Sequence, residues 1–457
     1  MSPTLLNVVI LAAGKGTRMY STTPKVLHKL AGKPLLGHVL DSAQALQPAK
    51  TAVVYGYGGN AVPEAFAGRD IAWALQQEQL GTGHAVMQAL PYLDDDAVTL
   101  ILLGDVPLVS AETCQKLVAQ AATGLALLTF IKPDPTGYGR IVRNAQGNPV
   151  AIVEHKDATE AQREIQEVNS GIMAVANRHL KQWLARLDNQ NAQGEYYLTD
   201  IVAMAVADGV TISTEICADA WQVAGVNSKV DLAAVERVYQ ARYAQKLLVA
   251  GVTLADPQRI DVRGELIAGK DVEIDVGCIF EGKVVIADHV RIGAYSVIRN
   301  AIIGQGTVIA PYSHIDDTQV GEDCRIGPFA RLRPGTTLQA QAHIGNFVEI
   351  KNSQIDIGSK VNHLSYVGDS DIGKHVNVGA GVITCNYDGV NKFRTVIGDH
   401  AFIGSDSQLV APVTIGAGAT IGAGSTITEN TPEGQLTLAR ARQVSLPNWK
   451  RPVKIKK

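Results

Sequence analysis

From about Ile274 onward a branched aliphatic residue returns at every sixth position, most regularly at Ile397, Ile403, Leu409, Ile415, Ile421 and Ile427. Only a repeat architecture sustains such a period. Gly398, Gly404, Gly416 and Gly422 directly follow four of these residues, and Ala401, Ser407, Val413, Ala419, Ser425 and Thr431 stand four places after them. Each hexad therefore reads as one short strand and a turn. Such a unit cannot bury its aliphatic side chain alone, so successive units must stack into a parallel β-helix with one continuous apolar core. The spacing leaves the hand of the helix open.

The 457 residues exceed what one hydrophobic core normally serves, and the first 230 show no six-residue period. They alternate apolar runs (Asn7 to Ala12, Thr51 to Tyr55, Val98 to Leu103, Gly124 to Phe130) with helical segments such as Leu35 to Leu46 and Thr113 to Ala122. This alternation predicts a Rossmann-like α/β domain with a mostly parallel sheet. Between the halves, Leu232, Val235, Tyr239, Tyr243 and Leu247 recur at three- and four-residue steps, with Ser228 and Asp231 as a capping-box-like start and Gly251 as a stop. One helix of about 33 Å results, a stiff connector between domains. The expected division is 1–228 for the α/β domain, 229–251 for the helix and 252–457 for the β-helix with a basic, solvated tail from Asn448.

Composition narrows the partners. With 41 basic against 44 acidic residues and a net charge of −3, the chain has no whole-molecule attraction for nucleic acid or an anionic membrane, which favours small-molecule ligands. No stretch reaches the roughly 18 apolar residues of a membrane span. Val8 to Ala13 lacks the positive flank of a secretion signal and reads as a buried strand. Five cysteines, without a CxxC pair, suit a reducing compartment, so a cytoplasmic location is expected.

The first strand runs straight into Gly14-Lys15-Gly16-Thr17-Arg18-Met19, with Pro24-Lys25 following. A glycine-rich turn after a buried strand lets backbone N–H groups approach a phosphate, and Lys15, Arg18 and Lys25 add positive charge. Met19 stands where a dinucleotide fingerprint needs its third glycine, and the P-loop spacing is not met. Asp105, ending the apolar run Val98 to Leu103, lies where open α/β sheets bind ligands and is a candidate metal ligand. A helix cap or turn residue would look the same from position alone.

The run Leu11-Ala12-Ala13-Gly14-Lys15-Gly16-Thr17-Arg18-Met19 with Pro24-Lys25 resembles the signature of sugar nucleotidyltransferases. Gln76 to Gly83, Leu103-Gly104-Asp105, Gly137 to Arg140, Glu154, Asn169 to Gly171, Glu195 to Asp200 and Gly225 to Asn227 extend it. In this order they are similar to the uridylyltransferase half of the bacterial bifunctional family that makes UDP-N-acetylglucosamine. The resemblance implies that Leu11, Ala12, Ala13, Gly14, Gln76, Gly81, Thr82, Leu103 and Gly104 contact the uridine nucleotide, with Lys25 at its phosphates. Gly139, Glu154 and Asn169 would hold N-acetylglucosamine, and Asp105 and Asn227 would bind Mg²⁺. Leu103, where relatives often carry Tyr, and Ser170, in place of a common Thr, depart from the family pattern.

The hexads break near His363 and again where Thr384 to Thr395 is inserted, and broken repeats are where function concentrates. Acetyl transfer to an amine needs a base of near-neutral pKa, which histidine supplies. Arg331 to Gly335, Gly345 to Lys351, Asn362 to Asp369, Gly379 to Gly389 and Phe402 to Pro412 resemble the acetyltransferase half of the same family. That resemblance implies His363 as general base, Arg333 and Lys351 at the sugar phosphate, and Tyr366, Asn377 and Asn386 on the amino sugar. Ala380, Tyr387, Ser405, Ala423 and Arg440 would line an acetyl-CoA site. It further implies a left-handed β-helix, a homotrimer, UTP and acetyl-CoA as co-substrates, and glucosamine 1-phosphate and N-acetylglucosamine 1-phosphate as substrates. Two other readings remain open: a nucleotidyltransferase whose β-helix only regulates or trimerises, and a non-catalytic regulatory subunit.

Overall fold

Val8, Val9 and Ile10 have no exposed surface, because a parallel strand in the middle of a sheet is covered on both faces and so needs an unbroken apolar run rather than alternation. The computed structural model describes residues 5–122 and 124–454. It divides into two compact units that meet between Tyr239 and Gln240, inside the helix Lys229–Val249.

In the first unit nine strands form one sheet. They are β1 (Leu6–Leu11), β2 (Lys50–Tyr55), β3 (Ala72–Leu75), β4 (Val98–Leu103), β5 (Leu125–Ile131), β6 (Arg140–Arg143), β7 (Pro149–Val153), β8 (Glu167–Ala176) and β9 (Ile212–Ile216). Their order is β9-β5-β8-β4-β1-β2-β3, with the β6–β7 hairpin attached through β8. β1 runs parallel to both β2 and β4, as the alternating pattern predicts. β8 is the exception, antiparallel to β4 and β5. It follows a hairpin and only a four-residue helix (Glu160–Arg163), too short for the crossover a parallel return requires. Apolar clusters fill both faces of the sheet.

The helix Lys229–Val249 starts on a reciprocal cap: Asp231 N–H donates to Ser228 Oγ at 3.2 Å and Ser228 N–H to Asp231 Oδ2 at 2.9 Å. Within the second unit its later turns close the open end of the β-helix. Gln240, nearly fully buried, donates to the Val262 carbonyl at 3.0 Å and accepts from the Val262 N–H at 2.8 Å, satisfying the first coil's edge.

Beyond Val252 an 11-stranded parallel sheet makes one face of the β-helix and a 17-stranded sheet makes the other two. The aliphatic of each hexad and the small residue four places on both point inward, and Ile403, Leu409, Ser407 and Ser425 have no exposed surface. The buried serines hydrogen-bond to carbonyls of their own turns, Ser407 to Gly404 at 2.7 Å and Ser425 to Gly422 at 2.6 Å, so burial leaves neither hydroxyl unpaired. Gly404 admits no side chain, because its Cβ would strike the backbone nitrogen of Ala423 in the next coil. Phe402 pairs with Thr420, three hexads on, whereas Arg291 pairs with Val308, one residue short of that. Coils that lose a residue at a corner explain why the six-residue period is clean only near the C-terminal end. Asn377 pairs with Phe402 across a longer step, because 386–394 leaves the coil as a loop closed by the Tyr387–Lys392 bridge.

One corner carries Tyr295, Tyr312, Phe329, Phe347 and Leu364, all at positive φ near 50–61°. The four rings stack at 5.0–5.5 Å, contacts that offset part of the left-handed backbone's cost.

Ile350, wholly buried, tests the stacked core. Ile350→Ala is expected to cost about 2–5 kcal/mol. Hydrogen exchange should then quicken in the coils flanking Ile350 while the strands β1 to β5 keep their protection.

Candidate active sites

The first site is built by the C-terminal ends of β1 and β4, where the chain leaves the sheet. A cavity of about 290 Å³ opens there, lined by Leu11, Ala12, Ala13, Gly14, Lys25, Gln76, Gly81, Thr82, Leu103 and Asp105, all predicted site residues, and by Gln79 and Glu195, which were not. Both lie inside sequence blocks quoted for the resemblance, but nothing in their residue type marks them as lining. Gln76, nearly buried, is held by its Nε2, which donates to the Gly81 carbonyl at 3.1 Å. Thr82 Oγ1 accepts from the Leu198 N–H at 3.1 Å, which ties the Glu195–Asp200 segment to the cavity rim. Gly104, on the inner side of this edge, donates to the Leu11 carbonyl at 2.9 Å. Lys15 and Arg18 are exposed and do not line the cavity.

Asp105 and Asn227 meet although they lie 122 positions apart in sequence. The Val226 N–H donates to the Asp105 carbonyl at 2.9 Å, which brings the segment before the connecting helix against the end of β4. The ammonium of Lys25 sits between their side chains, paired with Asp105 Oδ2 and 3.2 Å from Asn227 Oδ1. Two oxygen donors thus converge on a cation, with the Lys25 and Asp105 side chains 14 % and 16 % exposed. The donor set fits Mg²⁺, which takes few protein oxygens and completes its shell with phosphate and water. No group of three or more His, Cys, Asp and Glu side chains suited to holding a metal occurs among the described residues.

Gly139, Glu154 and Asn169 cluster beside the β6–β7 hairpin. Asn169 N–H donates to the Gly139 carbonyl at 2.9 Å, and a side chain on Gly139 would crowd Glu154 Oε1. Burial pushes the Glu154 carboxyl above its ordinary value, and the carboxylates of Asp157 and Asp200 add to this against the hydrogen bond from Thr199 Oγ1 at 3.3 Å. Ser170 points into the core, donating to the Leu128 carbonyl at 2.6 Å, so its departure from the family pattern bears on packing. Leu103, by contrast, lines the cavity itself.

The second set of residues lies on the β-helix, where stacking brings together positions about one coil apart. Arg333 pairs with Glu349 at 2.8 Å and Lys351 with Asp369 at 3.3 Å. Asp369 also accepts from Asn352 Nδ2 at 2.6 Å and from Asn386 Nδ2. Burial raises its carboxyl, but the hydrogen bonds from Asn352, Asn386 and Lys351 outweigh this and hold it below its ordinary range. Gly368 lies against this cluster: a Cβ there would come within 2.8 Å of Asn386 Nδ2 and closer still to the Tyr366 hydroxyl. Lys392, in the inserted loop, is held below the usual lysine range by Lys351, with Arg333 contributing. Three cations from separate segments therefore share one site. Lys392, Glu349 and Asp369 were missed in sequence; Lys392 was the most legible, as a cation inside the insertion.

His363 occupies the corner before Tyr366, its Nδ1 2.9 Å from Asn346 Oδ1. Ala380, Ser405 and Ala423 continue up that corner, linked through Gly381 N–H to His363 O, Asp406 N–H to Ala380 O and Gly424 N–H to Ser405 O. Arg440 joins this column, donating to the Ala423 carbonyl at 2.7 Å. Asn377 is on a different face, paired with Lys360 and Phe402, and Tyr387 stands exposed on the loop. One chain thus gathers Arg333, Lys351, Tyr366 and Asn386 in one place and His363 with the predicted acetyl-CoA column in another.

Comparison with known proteins covers the chain from end to end. Residues 8–195 match the profile of the MobA-like NTP transferase domain, 262–340 that of the GMPPB C-terminal domain, and 394–429 that of the bacterial transferase hexapeptide with six repeats. The bifunctional protein GlmU of Methylobacillus flagellatus is 68 % identical over 453 residues, 99 % of this chain and 98 % of that protein. Proteins of the same name from Nitrosospira multiformis and Chromobacterium violaceum are 59 % and 58 % identical, each covering 98 % of this chain and 98 % and 99 % of their own lengths.

The raised carboxyl of Glu154 gives a stability signature. The unfolded chain ionises near the ordinary value of 4.5 and the folded chain only at higher pH, so the native state loses stability as pH rises between the two. Glu154→Gln lacks that loss. Its thermal midpoint should match wild type below about pH 4 and exceed it at pH 7 to 8, followed by circular dichroism across pH.

Proposed function

The chain belongs to the GlmU family of bifunctional proteins, and from that membership we propose how its two sites divide the synthesis of UDP-N-acetylglucosamine. It is a bifunctional transferase, with a nucleotidyltransferase unit and a hexapeptide acyltransferase unit whose β-helix is left-handed. The β-helix acetylates glucosamine 1-phosphate with acetyl-CoA. The α/β unit then joins the resulting N-acetylglucosamine 1-phosphate to UMP from UTP and releases pyrophosphate. The order of reactions is thus opposite to the order of the units along the chain. The observation that carries this reading is that both sets of polar residues are present in a chain matched over 98–99 % of its length.

In the acetyl step Arg333, Lys351 and Lys392 hold the sugar phosphate, exchanging their internal carboxylates for it. Tyr366, Asn377 and Asn386 orient the amino sugar. His363 takes a proton from the amine so that its lone pair can attack the thioester carbonyl, because a protonated amine is no nucleophile. Collapse of the tetrahedral intermediate expels coenzyme A as the thiol(ate). Ala380, Tyr387, Ser405, Ala423 and Arg440 line the acetyl-CoA site. That one chain separates Asn377 and the corner column from the Arg333 cluster supports a site completed between copies, in a homotrimer.

In the uridylyl step Leu11 to Gly14, Gln76, Gly81, Thr82, Leu103 and Gly104 seat the nucleotide, and Gly139, Glu154 and Asn169 the sugar. The phosphate oxygen of N-acetylglucosamine 1-phosphate attacks the α-phosphorus of UTP in line with the departing pyrophosphate. Lys25 neutralises charge on the phosphates as it turns from Asp105 and Asn227. Mg²⁺, held by those two oxygens, would supply further neutralisation of the triphosphate. No covalent intermediate on the protein is needed. We place the enzyme in the cytoplasm, supplying bacterial envelope precursors; no helix among the described residues is long and apolar enough to cross a membrane.

Assaying the half-reactions separately tests this assignment. Asp105→Ala should lower uridylyl transfer by about 100-fold or more and leave acetyl transfer within about twofold. His363→Ala should do the reverse, with a loss of about 10²–10⁴ in acetyl transfer. Wild-type protein that fails to acetylate glucosamine 1-phosphate, or Asp105→Ala that abolishes both reactions while His363→Ala affects neither, would overturn the division of labour.

A further inference from the structure

We propose that Asn346 is a positioning residue that fixes the tautomer and direction of the His363 imidazole, an inference that rests on His363 acting as the general base. The column of residues at this corner reads, from coil to coil, Ala294, Pro311, Pro328, Asn346, His363, Ala380, Ser405 and Ala423. The three positions before Asn346 offer no side-chain hydrogen-bonding group, and the position after His363 is alanine. The single carboxamide of the column thus lies directly against its single imidazole.

The hold is at two points. Asn346 and His363 are paired in register in adjacent parallel strands, His343–Asn346 and Lys360–His363. The Asn346 carbonyl accepts from the Leu364 N–H at 3.1 Å, which fixes the backbone just beyond the histidine. Its side-chain Oδ1 lies 2.9 Å from His363 Nδ1. An amide oxygen can only accept, so this contact requires the ring proton on Nδ1 and leaves the Nε2 lone pair free. A base must present that lone pair to its substrate, and a ring free to rotate or to change tautomer would do so only part of the time. Other charged groups on the strands packed here are Arg325, His343 and Lys360. His343 is held below its ordinary range first by burial and then by Arg325, Lys360 and His363.

Two substitutions separate this role from simple packing. Asn346→Asp keeps an acceptor and adds a negative charge beside the ring. It should retain acetyl transfer and move the acid limb of its pH–rate profile upward by about one unit. Asn346→Leu keeps the size and removes the acceptor. Its kcat for acetyl transfer should fall roughly 10- to 100-fold, with KM for glucosamine 1-phosphate nearly unchanged. Uridylyl transfer by the same preparations reports whether the chain is intact, and if the leucine variant does not fold, the pH shift of the aspartate variant decides. An unshifted acid limb in Asn346→Asp, or a folded Asn346→Leu with wild-type kcat, overturns the role of Asn346. Undiminished acetyl transfer by His363→Ala would instead overturn the assignment of the base itself.

Discussion

Much of this molecule follows from the fact that one coil of a parallel β-helix cannot bury its own interior. The aliphatic side chain at each sixth position is sealed only when another coil lies above and below it, at the strand spacing of about 4.8 Å. That requirement locks register between positions 17 or 18 residues apart, as in Arg291 with Val308 and Phe402 with Thr420. Register in turn decides which outward-facing residues touch. Lys351 stacks beside Gly368 and His363 beside Asn346 because the isoleucines and valines behind them, Ile350 on Val367 and Ile344 on Val361, permit no other alignment. The polar cluster is therefore a consequence of the apolar one.

The α/β unit reaches a comparable result by a different constraint. Parallel strands all point their C-terminal ends to one edge, so the residues leaving β1 and β4 share a cavity without any repeat to align them. The site is closed by long-range contacts, chiefly Val226 N–H to the Asp105 carbonyl, which sets Asn227 beside Asp105. Burying an ammonium beside a carboxylate is costly unless the pair is well hydrogen-bonded, and Lys25 gains Asn227 as a third member.

The period of six revealed the β-helix because burial repeats with it, and the apolar runs revealed β1, β2, β4 and β5 because parallel strands are covered on both faces. The antiparallel course of β8 was not legible, since strand direction depends on the length of the connection rather than on the strand's own residues. Among site residues, those carried by the Gly-rich turn and the broken hexads were legible as types: a turn that fits a phosphate, a histidine where the period slips. Glu349, Asp369 and Asn346 were not, because each is an ordinary surface-like polar residue in sequence and becomes specific only through the coil stacked against it. Ser170 shows the converse: it follows the predicted sugar contact Asn169 in a family block, yet it is a buried hydroxyl that donates to the Leu128 carbonyl.

A common electrostatic arrangement links the two units. Lys25 with Asp105, Arg333 with Glu349, and Lys351 with Asp369 are each a cation proposed for a phosphate, already engaged by an internal carboxylate. A bare cation cluster would hold any polyanion and release its product slowly. A cation that must exchange a carboxylate for a phosphate gives up part of that attraction, because the phosphate gains only the difference between the two ion pairs. Asp369 makes the exchange local: with Asn352 and Asn386 still donating to it, the carboxylate stays satisfied when Lys351 turns away. Among the described residues Lys25 alone donates to the Asp105 carboxylate, so its freed charge calls for a cation of its own. The site proposed for a phosphate monoester is thus the one that can keep its carboxylate satisfied by amides, whereas the site that cannot is the one whose oxygen donors suit Mg²⁺.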